Sequence, residues 1–284
     1  MQAAKMLADI VQIFNNDGYM VTVLMTGARN DAKEWAKQYA GDYDTIVVSG
    51  GDGTFNEVSD GILDSGYNPI IGYIPSGSTN DFATSLGLPK TIIEAAHRVV
   101  EGEPQTLDIG SFNGRHFSYV ASFGAFTSTS YSVPQNLKNI LGHGAYVLSG
   151  VKELANIKPI HAKIIADEGT PNEVITEGDY LFGAICNSTS IAGIIKLDRM
   201  DVDMNDGLME VFLVKMPRDV LDLNNIISKL VNNELNTNEM EFFSAQNIRV
   251  EIDEGTHWTL DGEYEEGAAE IEIETLRSAI EVIS

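Results

Sequence analysis

The chain has 284 residues, an ordinary apolar share of 43% and a formal net charge of −24. That is enough chain for two modest domains, and the acidity excludes nucleic acid, which demands a basic footprint. It also argues against docking to anionic lipid through a broad basic field. The one cysteine, Cys186, excludes an internal disulfide framework and fits a reducing compartment; in the apolar run 180–186 it reads as an inert core residue. No signal peptide is evident and no apolar run approaches the ~20 residues of a spanning helix, so a cytoplasmic protein is expected.

Residues 2–15 read as an amphipathic helix with Met6, Ile10, Ile13 and Phe14 on one face and Gly18 as its C-terminal cap. A strand rich in β-branched residues is expected over 19–25, broken by Thr26-Gly27, and a helix over Asp31–Tyr39. Residues 45–48 form a short β-branched strand. Ser49-Gly50-Gly51-Asp52-Gly53 then turns into a helix that Thr54 can cap, with Phe55, Val58, Ile62 and Leu63 facing inward. A second unit follows at once: a strand over 69–74, a turn over 75–80 and a helix over 81–86, then another helix over 91–100. Strands alternating with helices at this spacing predict a doubly wound parallel sheet in residues 1–107. Such a domain normally opens with a strand, so opening in a helix suggests that its first strand lies upstream.

After residue 107 the pattern changes. Strands over 106–111 and 116–122 are joined by Asn113-Gly114, a hairpin signal. A helical stretch is expected near 138–156. Strands then dominate (161–166, 180–188, 208–215, 247–252, 257–260 and 269–274), interrupted by one helix near 217–232 with Pro217 in its first turn. Residues 108–284 are therefore expected to form an antiparallel, β-sandwich-like domain whose last residues could pack back on the first. The whole chain reads as α/β followed by β.

Chemistry concentrates at the strand ends, where ligands bind on open parallel sheets. Glycines at 50, 51 and 53 let backbone N–H groups approach an anion, and the following helix adds a favourable dipole. An acid inside that turn, Asp52, would repel phosphate unless a metal bridges them, which points to Mg²⁺-nucleotide chemistry. The common nucleotide loops, G-x-x-x-x-G-K-[ST] and G-x-G-x-x-G, are absent. In the second turn Gly77 permits close approach, Ser78 and Thr79 offer hydroxyls and Asn80 can hold the bend. By itself this also reads as a capping turn; beside the first, phosphate binding is favoured. Asp203, Asp206 and nearby carbonyls could hold a hard cation or form an acidic hairpin turn. Asp261 and Glu263 flank Gly262, and either could take a proton from an attacking hydroxyl, although spacing alone says little in so acidic a chain. The five histidines are scattered and suggest no zinc site. Phe123, Phe126 and Tyr131 are either core or part of a lipid-facing surface spanning 123–133 and 137–148.

Five segments in order, SGGDGTFNEV (49–58), IPSGSTNDFATSLGLP (74–89), LDIG (107–110), DGLMEV (206–211) and LDGE (260–263), resemble the diacylglycerol kinase catalytic family, most closely its soluble bacterial lipid kinases. GGDGT alone is shared with NAD kinases and sphingosine kinases; GGDGT followed by P-x-G-x-x-N-D-F-A is more specific. The family's opening strand and Asn-Pro-x-x-Gly segment have no counterpart. The resemblance implies a two-domain kinase that uses ATP and Mg²⁺, with a nucleotide domain over 1–107 and a lipid- and metal-binding domain over 108–284. It implies nucleotide contacts at Thr26, Gly50, Gly51, Asp52, Gly53, Thr54, Asn56, Glu57, Gly77, Ser78 and Asn80. Asp52 and Asp108 match acids near the phosphates and the catalytic Mg²⁺, Glu263 matches the proton acceptor with Asp261 beside it, and Asp203, Asp206 and the Leu208 carbonyl match a structural Mg²⁺ site. The implied reaction moves the γ-phosphate of ATP to diacylglycerol, giving phosphatidic acid, with peripheral membrane association during turnover; a homodimer is open. Alternatives are a kinase of another lipid, an NAD kinase, or a catalytically silent nucleotide- or lipid-binding regulator.

Overall fold

The computed structural model describes residues 5–77, 80–125, 158–191, 195–196, 202–232 and 234–284. The chain forms two compact units, one of Met1–Ile109 with Arg277–Ser284, the other of Gly110–Leu276. No helix among the described residues is long and apolar enough to cross a membrane.

The first unit contains α1 (Leu7–Asn16), α2 (Asp31–Tyr39), β1 (Thr45–Gly50), α3 (Asp52–Ser65), β2 (Ile70–Pro75), α4 (Asp81–Ser85) and α5 (Ile92–Glu101). β1 and β2 are parallel, in register from Thr45↔Ile70 to Gly50↔Pro75. Successive side chains of β2 bury on opposite faces. Tyr73 packs beside Phe55 of α3, their rings 4.8 Å apart, and Phe55 lies 4.8 Å from Phe82 of α4. Ile74 joins Ile10 and Phe14 of α1 and Ile92 and Val99 of α5. Helices therefore cover both faces, the arrangement a parallel sheet requires. α2 and α3 approach so closely that a Cβ on Gly61 would lie 2.3 Å from the Lys33 carbonyl oxygen.

The remaining elements are β3 (Pro104–Phe112), β4 (Arg115–Phe117), β5 (Val120–Gly124), β6 (Ile160–Ala166), β7 (Val174–Cys186), β8 (Ser190–Ile191), β9 (Ile195–Lys196), β10 (Met209–Lys215), α6 (Val220–Val231), β11 (Met240–Ala245), β12 (Asn247–Ile252), β13 (Trp258–Leu260), β14 (Glu263–Glu265) and β15 (Glu270–Ile283). In the second unit the long β7 carries antiparallel partners along its whole length. Its first half pairs with β6, from Ala166↔Val174 to Ile160↔Tyr180. Its second half pairs with β5, and from the other side with β10. β12 continues from β6 to β15. Trp258 sits in the core of this unit, its ring 5.1 Å from Phe112 and 4.8 Å from Phe123. Phe123 is therefore core. The end of β15 belongs to the first unit, where Val282 and Ile283 pair in parallel with Ile71 and Gly72 of β2. The fold is α/β with a helix-flanked parallel domain and an antiparallel, sandwich-like domain, as the sequence predicts.

Several local expectations change. Residues 19–25 form no strand: they enter no ladder among the described residues, and Met20 is 94% exposed. β propensity reflects packing on a pleated neighbour, and without one a β-branched run gains nothing from it. β1 runs on to Gly50, because Gly50 still pairs with Pro75. α3 begins at Asp52, with no side-chain cap; the Gly51 carbonyl already accepts from the N–H groups of Thr54 and Phe55, so Thr54 lies inside the first turn. α6 starts at Val220 rather than Pro217, since the Asp219 carboxylate caps the Leu221 and Asp222 N–H groups at 2.8 and 2.9 Å. β11 and β14 were not anticipated. The helix expected near 138–156 and the apolar residues at 126–133 and 137–148 lie outside the described residues.

Candidate active site

β1 and β2 end level, and the turns that follow them touch. The Ser76 N–H donates to the Gly50 carbonyl at 2.8 Å. A Cβ on Gly77 would sit 2.6 Å from the Gly51 Cα, so only glycine fits without displacing the backbone. Asn80 is left-handed, with φ 54°. Its Oδ1 accepts from the Gly77 N–H and its Nδ2 donates to the Gly77 carbonyl, each at 3.0 Å. An asparagine tolerates this conformation and its side chain closes the bend. Ser78 and Thr79 lie outside the described residues.

Asp52 opens α3 between these turns. Its Oδ2 accepts from the Asp81 N–H at 3.0 Å and its Oδ1 from the Tyr73 hydroxyl at 3.2 Å. Burial pushes its carboxyl above the usual carboxylate range, despite those bonds. Burial and the Asp52 charge in turn raise the Tyr73 phenol. Gly53, Thr54 and Asn56 are half-buried in the first turns of α3, and a Cβ on Gly50 would strike the Thr54 side chain. Glu57 accepts from the Asn30 N–H at 3.0 Å, tying the loop after Thr26 to α3. Thr26 itself is exposed, and Asp31 Oδ2 accepts from the adjacent Gly27 and Ala28 N–H groups at 2.7 and 2.8 Å. Asp108 is 1% exposed and accepts from the Ser278 N–H at 2.6 Å, holding β15 at a left-handed residue. The structure thus gathers Gly50, Gly51, Asp52, Gly77 and Asn80 at one edge and links Thr26 to it through Asn30 and Glu57.

In the second unit Asp261 is buried at the end of β13. Its carboxylate accepts from three backbone N–H groups, Ser118 at 2.6 Å and Tyr119 and Val120 at 3.0 Å each. Glu263, two residues on, is partly exposed and lies 3.3 Å from the Arg115 guanidinium, which also pairs with Glu265. The two acids are therefore different: one fastens strands, the other can meet a ligand. Arg115 and Tyr73 escaped the sequence reading. Arg115 had no signal, because its pairing depends on the unanticipated β14; Tyr73 was visible only as a phenol in an otherwise apolar strand.

The 203–208 loop offers oxygen donors. Asp203 and Asp206 are exposed; Asp203 Oδ1 accepts from the Asn205 N–H at 3.1 Å and Asp206 Oδ1 from the Leu208 N–H at 2.9 Å. Asn187 Nδ2 donates to the Met204 carbonyl at 3.1 Å. Glu210 lies 3% exposed on β10, and its Oε2 has no hydrogen-bond partner among the described residues. Burial first, then Asp206 and Asp203, push its carboxyl up to about 8. All-oxygen donors with uncompensated negative charge suit a hard cation. Cys186 is fully buried, and burial first, then the neighbouring Glu210, pushes its thiol up.

The model of the diacylglycerol kinase catalytic domain family matches residues 1–112. A diacylglycerol kinase of Bacillus subtilis (strain 168) is 33% identical over 262 residues, covering 92% of this chain and 84% of its own. A diacylglycerol kinase of Staphylococcus saprophyticus is 30% identical over 260 residues, covering 91% and 83%. A crystal structure of a diacylglycerol kinase from Bacillus anthracis str. Sterne shares the fold, with a TM-score of 0.73 at 23% identity over 99% of this chain and 90% of that one. The chain belongs to the diacylglycerol kinase family and is a lipid kinase.

Proposed function

We propose that the chain transfers the γ-phosphoryl group of ATP to the hydroxyl of diacylglycerol, giving phosphatidic acid and ADP. The observation that carries this reading is the interlocked pair of glycine turns at the ends of β1 and β2. Backbone packs on backbone there, and the N–H groups that open the adjoining α3 take no side-chain cap. Uncapped helix amides beside a glycine turn make an anion site.

In this reading the amides at the start of α3 bind the phosphates. Asn80 keeps the second turn closed, and Glu57 holds the Thr26 loop for the rest of the nucleotide, with Ser78 adding a hydroxyl. Asp52 and Asp108 would hold Mg²⁺ near the phosphates, and Asp203, Asp206 and the Leu208 carbonyl a second, structural ion. Bound Mg²⁺ supplies charge neutralisation, which phosphoryl transfer needs more than covalent chemistry. The lipid hydroxyl oxygen bonds to the γ-phosphorus as the bond to the ADP oxygen breaks, and Glu263 accepts the hydroxyl proton. Asp261 keeps the β13–β14 corner in shape. The first unit would serve the nucleotide and the second the lipid and structural ion, with the lipid met at a membrane surface.

Labelled ATP, offered with diacylglycerol, a sphingoid base, phosphatidylglycerol or NAD, with and without Mg²⁺, tests this. Label should enter phosphatidic acid and require Mg²⁺. Transfer to NAD or another lipid in preference would overturn the substrate, and ATP binding with no transfer to any acceptor would favour a silent regulator.

A further inference from the structure

We infer that Glu210 supplies its carboxylate to the cation held by Asp203, Asp206 and the Leu208 carbonyl. The inference rests on the proposed reading of that loop as a cation site and adds a buried charge to it. β10 follows the loop directly, and Glu210 pairs in register with Cys186 of β7 and Ser244 of β11. The next residue of β7's chain, Asn187, holds the Met204 carbonyl at 3.1 Å, which seats the loop over the end of the strand that Glu210 flanks. Glu210 is 3% exposed and its Oε2 is without a hydrogen-bond partner among the described residues. No described lysine or arginine forms an ion pair with it; its titratable neighbours are Asp203, Asp206 and the Cys186 thiol.

A buried carboxylate is retained only with a counter-charge or as the neutral acid. A surface acidic turn alone supplies no counter-charge and leaves the buried Oε2 without a partner. A hard cation in the loop above would neutralise three carboxylates at once and give the orphaned oxygen a partner, directly or through one water. Glu210 then belongs to the ion site rather than to the core.

The test uses the whole chain with Mg²⁺ alone and no nucleotide, read by calorimetric titration and by the Mg²⁺-dependent rise in melting temperature. Wild type should bind Mg²⁺ and melt higher with it. Glu210→Gln should bind at least tenfold more weakly, and without Mg²⁺ should melt no lower than wild type, because it replaces a buried acid that has no partner for its Oε2. Glu210→Met, similar in volume and apolar, carries the same expectation should the amide variant fold poorly. Asp206→Asn separates the two ideas. If Asp206→Asn loses Mg²⁺ while both Glu210 variants keep wild-type affinity, the role of Glu210 is overturned and the loop site stands. If wild type takes up no Mg²⁺, or Asp206→Asn binds as wild type does, the loop reading falls and this inference with it.

Discussion

The turns at the ends of β1 and β2 and the β13–β14 corner both place acids beside glycine, yet they are built in opposite ways. At the strand ends the framework is backbone on backbone, Gly77 against Gly51, and the one acid, Asp52, is half-buried with a phenol and an N–H as its partners. At the corner the acid nearest the glycine, Asp261, is taken up by three N–H groups, and the acid beyond it, Glu263, reaches partly exposed space beside Arg115. In the proposed reading the same residue types bind in one place, while in the other they fasten strands. Hydrogen-bond partners, not sequence spacing, separate the roles.

The contrast between Glu263 and Asp261 gives the largest expected effect. Glu263→Gln should lower kcat by about 10²–10⁴-fold, the usual cost of losing a general base, and leave the melting temperature and ATP affinity near wild type; unchanged turnover would remove Glu263 from that role. Asp52→Asn should cost about 10²-fold in turnover, the scale of mispositioned phosphates, while folding normally. Its Oδ1 can still accept from the Asp81 N–H and its amide can donate to the Tyr73 oxygen. A matching loss of stability would make Asp52 structural instead.

Asp261→Asn should act the other way, destabilising by about 1.5–3 kcal/mol in chemical denaturation, since a charged acceptor of buried N–H groups is lost. Activity per folded molecule should survive far better than in Glu263→Gln. Tyr73→Phe removes one hydrogen bond from Asp52 and should cost about 1 kcal/mol, seen as a small fall in the denaturation midpoint. Arg115→Ala is the mildest. Its pairs with Glu263 and Glu265 are partly exposed, and such pairs contribute under ~1 kcal/mol; a larger fall would show that Arg115 fixes the corner itself.

Much of this was legible in the sequence, for reasons that can be named. Gly77 and Asn80 announce their turn because few residues tolerate such close approach or a left-handed φ, and Asn113-Gly114 announces its hairpin for the same reason. The alternation of strand and helix up to residue 101 fixed the α/β class. Other features depend on partners that local sequence does not carry. Residues 19–25 look like a strand and lack a ladder. β7 reads as a run from 180, yet its polar first half becomes strand by pairing with β6. Thr54 looks like a cap, but the Gly51 carbonyl starts the helix earlier. The buried state of Glu210 follows from its register with Cys186, a long-range fact.

The proposed grip of the glycine turns on the nucleotide is tested most directly by the ATP affinity of Gly77→Ala. The added methyl meets the Gly51 Cα and must push the turns apart; strain of about 1–3 kcal/mol corresponds to about fivefold to 150-fold in affinity. Weaker ATP binding by that factor, with an unchanged far-ultraviolet circular dichroism spectrum, is the predicted result. A folded Gly77→Ala protein that binds ATP as tightly as wild type would contradict it.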